Sequence, residues 1–429
     1  MAELRRRREQ GAPTLPATAE GVQDMTDVQH SSALATGEPT RVANSGDPVG
    51  FRVELRALRV RFGSGALAGL GEIVRGEGGT RALVVTDPGL EAVGHVERAR
   101  ESLERCGVAS FVFDGVQENP GEAHVAAGVE AARACGCDFL IGLGGGSAMD
   151  CAKGVNFVLT NGGRMEDYWG MGRATRPMLP SIGVPGTAGT GSEAQSFAII
   201  SREGDHRKMA CGDEKARFRW AILDPEVAAT APADVAAVTG IDAISHAVES
   251  QVSRSRNPFS QMMSREAWRR LSRSFLEVVR HRERQEGWGE MLLGAHIAGA
   301  AIEASMLGAA HALANPLSAA YDVTHGLAIA IVLPSVVRYN GVAVTADYQD
   351  LLAETVSSGA APREPAEQVA RVIETFREEA SLPSRLEDLG VARSRLPELA
   401  RQAADQWTAG FNPRPVGERE LLELYDAAF

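Results

Sequence analysis

The chain of 429 residues lacks any run of 18 uncharged apolar residues, although 44% of its residues are hydrophobic. The absence of such a run argues against a transmembrane helix, and we expect a cytoplasmic protein with no membrane partner. A basic excess is also lacking, because 44 lysines and arginines stand against 56 acidic residues, giving a net charge of −12. This balance disfavours a nucleic-acid partner.

Paired cysteines are lacking as well. The five cysteines are odd in number and show no CxxC spacing, so a disulfide framework is not expected. Cys135 and Cys137 leave two interpretations open: a redox or metal pair, or two small buried residues around the start of a strand. The second interpretation is the simpler one.

Residues 1–50 lack a sustained apolar period and are rich in Ala, Thr, Gly, Pro and charged residues. This composition predicts a disordered N-terminal extension. Arg5 to Arg8 form a basic run, but no apolar segment follows it, so a secretory signal is not predicted. Met25 is an alternative candidate for the translation start.

From residue 51 onward, strand-like and helix-like segments alternate, which predicts an α/β nucleotide-binding domain at 51–228 with a parallel, Rossmann-like sheet. After Asp224-Pro225 no strand pattern remains, which predicts an all-α metal-binding domain at 229–429. The predicted strands are Arg52–Phe62, Ala82–Thr86, Ser110–Phe113 and Phe139–Gly142. The predicted helices are Ala229–Ala247, Pro258–His281, Gly289–Ala314, Gly326–Tyr339 and Ala366–Ala380.

One aspartate and three histidines in the second half have spacings that suggest a metal site. Asp242 and His246 are four residues apart, so on a helix their side chains share one face. His311 lies in a helical run that Pro316 is expected to end, and His325 precedes an apolar run. An Asp-x-x-x-His pair alone is more often a pair of unrelated core or surface residues. The full set, together with a glycine loop, favours Zn²⁺ or Fe²⁺ with open coordination positions.

The glycine loop follows the predicted strand at Phe139 and contains Gly144, Gly145, Gly146 and Ser147, with Asp150 three residues further on. Consecutive glycines let backbone N–H groups approach a pyrophosphate at a helix N-terminus. The loop is not a strict G-x-G-x-x-G and is a weak signal alone. Asp87 ends another buried strand, where a carboxylate reads ribose hydroxyls and repels a 2′-phosphate, which favours NAD(H). The alternative for Asp87 is a turn-forming Asp-Pro.

Together these residues resemble the iron-containing (group III) alcohol dehydrogenases from about Phe62 to the C-terminus. The matching segments, in the same order as in the family, include Thr86–Gly89, Gly144–Lys153, Pro185–Glu193 (PGTAGTGSE), Leu223–Pro225, Gly240–Glu249 (GIDAISHAVE), His311–Gly326 and Asn412–Arg414.

The resemblance implies a metal-dependent, NAD(H)-linked alcohol dehydrogenase or aldehyde reductase that forms a homodimer or higher homo-oligomer. It implies hydride transfer between nicotinamide and a small alcohol, aldehyde or ketone whose oxygen the metal binds. The metal, Fe²⁺ with Zn²⁺ as the alternative, would be held by Asp242, His246, His311 and His325. The implied cofactor contacts are Asp87, the glycine loop at Gly144 to Ser147, Asp150, Thr187, Thr190 and Lys208.

The chain departs from the family pattern at several positions. Asn315 replaces a histidine that usually lies four residues after the third ligand, and asparagine cannot exchange a proton near neutral pH. Gly186 replaces a threonine, Ser318 replaces a glycine, and Trp407 is expected near a substrate-pocket position that is often smaller.

Two alternative functions remain open. One is a zinc-dependent glycerol or polyol dehydrogenase on the same fold, and the other is a catalytically weak homologue that binds NAD and metal. His296 is a weak candidate for an extra ligand, because it lies 15 residues before His311 on what is predicted to be one helix.

Overall fold

The computed structural model describes residues 58–204, 207–355 and 364–429. The predicted disordered extension, Met25 and residues 52–57 of the first predicted strand lie outside the described residues. The strands are β1 (Arg59–Phe62), β2 (Arg81–Val85), β3 (Ala109–Phe113), β4 (Phe139–Gly144), β5 (Gly170–Met171), β6 (Ser181–Pro185), β7 (Phe197–Ser201), β8 (Lys208–Gly212) and β9 (Trp220–Leu223).

The α-helices of the described residues alternate with these strands and then continue alone. They are α1 (Leu70–Gly76), α2 (Pro88–Ala92), α3 (His95–Arg105), α4 (Glu122–Cys135), α5 (Gly146–Asn161), α6 (Pro225–Ala228), α7 (Ala233–Val252), α8 (Pro258–Arg280), α9 (Gln285–Ser305), α10 (Ala309–Tyr321), α11 (His325–Asn340), α12 (Thr345–Ala353), α13 (Pro365–Glu379), α14 (Leu396–Ala404) and α15 (Glu418–Ala427).

A six-stranded sheet organises the first half, with strand order β1-β9-β6-β4-β2-β3 and parallel pairing throughout. Its central strand β4 is buried at every position, as expected for a strand covered on both faces by helices. One face packs against Val129 of α4 and Val155 of α5, and the other against Val74 of α1 and Leu103 of α3. The predicted parallel α/β fold is confirmed.

A second sheet of three strands, in the order β5-β8-β7, was not predicted from the sequence. Strands β7 and β8 are antiparallel, and burial alternates along β7, where Ala198 and Ile200 are buried while Phe197, Ile199 and Ser201 are partly exposed. This period of two is that of a strand with one face on the core. The other face borders the cavity described below.

The second half is helical, and among the described residues after Asp224 there is no strand, as predicted. The prediction of one helix over Gly289–Ala314 is wrong. The chain turns at Met306, which has a positive φ of 74°, and α9 and α10 meet at 106°. The prediction that Pro316 ends its helix is also wrong, because Pro316 lies inside α10 between the buried Leu313 and Leu317.

No single helix among the described residues is long and apolar enough to cross a membrane, although α9 and α10 together would pass by length and composition. All five cysteines are free, and Cys135 is buried, with its thiol directed to the Ala132 carbonyl at the end of α4. Cys135 therefore fits the interpretation as a small buried residue, whereas Cys137 is only partly buried.

One hydrophobic cluster extends from the helical part into the α/β part. Ala188, Ala221 and Leu223 belong to the same buried cluster as residues of α7 to α11. Polar contacts cross between the parts as well, because Arg217 pairs with Glu303 of α9 at 2.6 Å. The domain boundary at 228/229 stays a prediction.

Candidate active site

Helix α7 carries the first two candidate ligands. Asp242 and His246 lie one turn apart on it and are both buried, and the distance between Asp242 Oδ1 and His246 Nε2 is 3.6 Å. The helix is buried along most of its length, because small and apolar residues such as Ala243, Ile244 and Ala247 pack into the core. The two polar side chains therefore hold fixed positions inside the molecule.

The other two candidates come from the beginnings of two later helices. His311 lies in the first turn of α10, just after the turn at Met306, and His325 is the first residue of α11. The nitrogens His311 Nε2 and His325 Nε2 lie 3.6 and 3.9 Å from Asp242 Oδ1. The His246 and His311 rings stack with centroids 5.1 Å apart. The structure thus brings all four predicted residues together.

These positions fit a divalent metal ion. Ligand atoms of Asp242, His311 and His325 lie within 4.8 Å of one another, and in a tetrahedral site with bonds of 2.0–2.2 Å neighbouring ligand atoms are roughly 3.4 Å apart. Asp242 Oδ1 and His311 Nε2 are buried without a hydrogen-bond partner among the described residues. Because unpaired buried polar atoms are costly, a cation that both atoms bind would account for their arrangement.

The protonation states of Asp242, His246 and His325 suit metal binding. Burial alone would raise the pKa of Asp242, but the neighbouring His246, His311 and His325 hold it below its usual range. Burial lowers the pKa of His246 to about 4 and holds the pKa of His325 well below its usual value. An ionised carboxylate and neutral imidazoles are the forms that bind metals.

His311 differs from the other two histidines because of Glu249, a residue that the sequence analysis did not single out. Burial opposes the shift, but Glu249 and Asp242 raise the pKa of His311 to about 9. His311 Nδ1 donates to Glu249 Oε2 at 2.6 Å, and the Ala310 N–H donates to Glu249 Oε1 at 2.7 Å. This carboxylate fixes the ring so that Nε2 faces Asp242. Its position three residues after His246, on the same helix face, was the available signal.

The glycine loop connects β4 to α5. Gly144 has a φ of +148°, a conformation that side chains rarely allow, and Gly145 precedes the first turn of α5. A side chain at Gly146 would meet the Thr190 hydroxyl at 2.9 Å, so the loop and the segment after β6 are in close contact. Gly145, Gly146 and Ser147 are partly exposed at the N-terminus of a 16-residue helix, where backbone N–H groups suit a phosphate.

Asp87 lies beside this loop, at the end of β2. Its Oδ1 accepts hydrogen bonds from the Gly89 and Leu90 N–H groups and so caps α2. Its Oδ2 lies 2.9 Å from where a side chain at Gly144 would begin. Asp87 therefore both forms the Asp-Pro turn and reaches the glycine loop.

The remaining predicted cofactor residues include the charged side chains of Asp150 and Lys208. The Ser192 hydroxyl donates to Asp150 Oδ1 at 2.6 Å, and Lys153 lies 3.8 Å from that oxygen. Burial raises the pKa of Asp150. Burial also lowers the pKa of Lys208, against the opposing effect of Asp242 and Asp150.

One cavity of about 660 Å³ joins these groups. Gly145, Gly146, Ser147, Asp150, Thr187, Thr190 and Lys208 line it, as do the four candidate metal ligands. Asp87 and Gly144 are not among the lining residues. A phosphate site and a metal site in one cavity suit a nucleotide cofactor whose reactive end approaches a metal-held substrate.

Comparisons with known proteins agree with this geometry. Residues 57–225 match the family model described as iron-containing alcohol dehydrogenase, and residues 236–429 match the C-terminal model of the Fe-containing alcohol dehydrogenase family. The chain belongs to the iron-containing alcohol dehydrogenase family.

Individual relatives match over nearly their whole length. The chain is 33% identical over 373 residues to a 1,3-propanediol dehydrogenase of Citrobacter freundii. The aligned region covers 86% of this chain and 96% of the relative. It is 30% identical over 372 residues to a lactaldehyde reductase of Escherichia coli (strain K12), covering 86% of this chain and 97% of the relative. The crystal structure of a 1,3-propanediol oxidoreductase superposes with a TM-score of 0.84 at 31% identity, covering 86% of this chain and 98% of that one.

The chain is therefore an enzyme of the alcohol dehydrogenase or aldehyde reductase type. Two of its departures from the family pattern, Asn315 and Trp407, line the cavity. Asn315 lines the cavity one turn after His311 and donates to Gln406 Oε1 at 3.1 Å, and Trp407 also lines it, as expected. A side chain at Gly186 would lie only 3.2 Å from the Gly144 backbone, which leaves little space for a threonine.

His296 is not part of the metal group among the described residues. Because α9 and α10 are separate helices, the expectation that His296 and His311 share one helix is wrong. His296 Nδ1 instead lies 3.1 Å from Glu193 Oε1, and both side chains are buried. This contact joins α9 to the PGTAGTGSE segment.

Proposed function

We propose that Asp242, His246, His311 and His325 hold one Fe²⁺ ion and that the cavity binds NAD(H) for oxidation of an alcohol or reduction of an aldehyde. The supporting observation is that the three imidazole Nε2 atoms surround the buried Asp242 Oδ1 at 3.6–3.9 Å in a cavity that also contains the glycine loop. When bound, the ion would supply Lewis-acid polarisation of the substrate oxygen.

The protein's own residues would position the reactants. The N–H groups at Gly145 to Ser147 would bind the pyrophosphate, and the Thr187 and Thr190 hydroxyls would direct the nicotinamide toward Asp242. Lys208, which lines the same cavity, would add a positive charge near the cofactor. Asp87 would bind the ribose hydroxyls, which favours NAD(H) over NADP(H).

The proton of the alcohol needs a route that does not use residue 315. Asn315 has no group that titrates near neutral pH, and its amide N–H donates to Gln406. Oxidation moves a hydride to nicotinamide and releases one proton, so another group lining the cavity must accept that proton. We propose the same arrangement for the reverse reaction, in which the proton is taken up.

Metal analysis of anaerobically purified protein, together with an alcohol and aldehyde panel followed by NADH absorbance, tests the proposal. We expect about one iron per chain and turnover that a chelator removes and Fe²⁺ restores. Zinc as the bound metal with full activity would replace iron in the proposal. Stoichiometric metal and NAD binding without turnover of any alcohol or aldehyde would support the catalytically weak homologue instead. The homo-oligomer and the cytoplasmic location stay predictions, which light scattering and cell fractionation test.

A further inference from the structure

The wall of the cavity beside the metal residues carries a group of aromatic side chains. Phe197 of β7 and Trp407 stack with centroids 6.1 Å apart and planes at 19°. Phe411 meets the Trp407 ring edge-on, with centroids 6.2 Å apart and planes at 82°. Trp407 is 43% exposed although it lines the cavity. An exposed indole held by two aromatic neighbours is a rigid, flat surface for a ligand.

This aromatic group is tied to the metal residues through one hydrogen bond. Gln406, which precedes Trp407, accepts from Asn315. Asn315 follows His311 by one turn of α10, so the two side chains share a helix face. A substrate whose oxygen is near His311 could therefore reach Trp407 along this side of the cavity. Apolar side chains at the turn between α9 and α10 line the cavity in the same region, namely Ile302, Met306 and Leu307.

The charges of the cavity disfavour an anionic substrate. Lys208 is the single cationic side chain among the described lining residues other than histidine, and it lies among carboxylates that include Asp242 and Asp150. An anionic substrate would therefore meet one lysine among several carboxylates. Glu303 also lines the cavity, but Arg217 pairs with it at 2.6 Å and the Ser196 hydroxyl donates to it at 2.6 Å. Because its charge is already neutralised, it provides little attraction for a cationic substrate.

We infer that the substrates are neutral primary alcohols and aldehydes that carry an aromatic ring, with the ring placed against Phe197 and Trp407. The inference rests on the proposed function and specifies its substrate class. The reaction is the conversion of an arylmethanol and NAD⁺ to the arylaldehyde, NADH and a proton, or its reverse. The two-electron oxidation of the alcohol carbon is balanced by the reduction of nicotinamide.

The test compares four substrates with the metal-loaded wild-type enzyme: benzyl alcohol, cyclohexylmethanol, 1-propanol and 1,3-propanediol. We expect kcat/KM to be highest for benzyl alcohol, by about tenfold or more over 1-propanol, the range that a filled apolar pocket provides. Cyclohexylmethanol has nearly the same size without a π-system, so benzyl alcohol should exceed it by about 3- to 10-fold if the ring stacks.

Two substitutions at Trp407 separate stacking from general packing. Trp407→Leu should lower kcat/KM for benzyl alcohol by about 3- to 10-fold while 1-propanol changes by less than about twofold. Trp407→Phe keeps an aromatic ring and should retain most of the preference. Calorimetry measures the affinity of the NADH-loaded enzymes for benzyl alcohol without turnover. This affinity should fall in the order wild type, Trp407→Phe, Trp407→Leu. Melting temperatures close to that of the wild type show that both variants are folded.

The outcomes distinguish this inference from the function on which it rests. If Trp407→Leu lowered kcat/KM equally for benzyl alcohol and 1-propanol, the inference would be overturned. A higher kcat/KM of the wild-type enzyme for 1,3-propanediol than for benzyl alcohol would overturn it as well. In both cases alcohol dehydrogenase activity itself would stand. Absence of turnover with every alcohol and aldehyde, despite bound metal, would instead overturn the proposed function and this inference with it.

Discussion

At the scale of single residues, His311 and Glu249 have different parts in the candidate metal centre. We expect His311→Ala to abolish metal retention and activity, because three remaining ligands hold an ion loosely. NAD binding should stay nearly unchanged, since the glycine loop lies in the other half of the chain. Glu249→Gln removes the charge that orients His311 and should weaken metal affinity about 10- to 100-fold.

Metal content after dialysis against a competing chelator, together with NADH titration by fluorescence, measures both effects. Turnover by metal-depleted His311→Ala would contradict the ligand assignment. Equal metal affinity in wild type and Glu249→Gln would show that the 2.6 Å hydrogen bond between His311 Nδ1 and Glu249 Oε2 only supports packing.

Asp87 is predicted to set the cofactor preference. Asp87→Gly should shift the preference toward NADP(H), because an ionised carboxylate near a 2′-phosphate adds repulsion of about 1–3 kcal/mol, roughly 5- to 150-fold. Since Asp87 also caps α2, Asp87→Asn is the matched variant, which keeps an acceptor for the Gly89 N–H and removes the charge. The ratio of kcat/KM for the two cofactors measures the shift. A wild-type enzyme that already uses NADP(H) better would show that Asp87 does not read the ribose.

Asn315 makes the pH dependence of this enzyme independent of a histidine at that position. Asn315→His should add a titration to the kcat/KM profile at or below about 6.5, because a nearby cation disfavours the imidazolium form. Asn315→Gln, which has an amide and no titratable group, is the control and should add none. Superimposable profiles for wild type and Asn315→His would mean that position 315 takes no part in the proton path.

At the scale of elements, the segment between β6 and β7 is docked on α9 by two glycines. A side chain at Gly299 of α9 would lie 2.5 Å from the Gly191 carbonyl oxygen. Helix propensity alone would make Gly299→Ala stabilising by about 1 kcal/mol. Overlap with backbone costs about 1–3 kcal/mol, so we expect net destabilisation and weaker NAD binding, since the displaced segment carries Thr187 and Thr190.

Gly289→Ala on the same helix is the matched control. Its new side chain would meet Phe62 and Pro225 at 3.5 and 3.7 Å, which is ordinary contact. This variant should therefore be neutral or stabilised by up to about 1 kcal/mol. Denaturant unfolding measures the free energy of unfolding of both variants, and NADH titration measures their cofactor affinity. A change of the same sign in the free energy of unfolding of both would contradict the docking role of Gly191 and Gly299.

The same elements show what the sequence could and could not predict. Buried parallel strands such as β2 and β4 were predictable because both faces are covered and the apolar runs are continuous. The small sheet was missed because β7 and β8 carry polar residues such as Ser201 and Lys208 beside apolar ones and so lack a continuous apolar run. The turn at Met306 has no sequence signal, since a non-glycine residue rarely adopts a positive φ.

The candidate site shows a similar division. The proximity of Asp242 to His246 followed from helical spacing. His311 and His325 were grouped with them as further candidate ligands, and the resemblance to a family supported the full set. The contact between Glu249 and His311 joins residues 62 positions apart and depends on how α7 and α10 pack. Spacing along one helix could place Glu249 near His246 but could not show which ring it would orient.

At the scale of the whole molecule, one hydrophobic cluster spans the α/β part and the helical part. Leu223 packs in the same cluster as α7 and α9, and Arg217 pairs with Glu303 across the two parts. We therefore expect one cooperative thermal transition for residues 58–429, which removal of the metal shifts as a whole to lower temperature. Differential scanning calorimetry with and without chelator measures this. Two separate transitions, only one of them sensitive to metal, would contradict it.

Side chains along β7 face alternately the core and the cavity, and substitutions on the two faces have different consequences in evolution. Ala198 and Ile200 face the core, while Phe197 and Ile199 border the cavity. Substitutions at the second pair alter the space offered to a substrate and leave the buried side chains that stabilise the fold in place. A lineage with this strand could therefore acquire new substrates one residue at a time, without an intermediate that fails to fold.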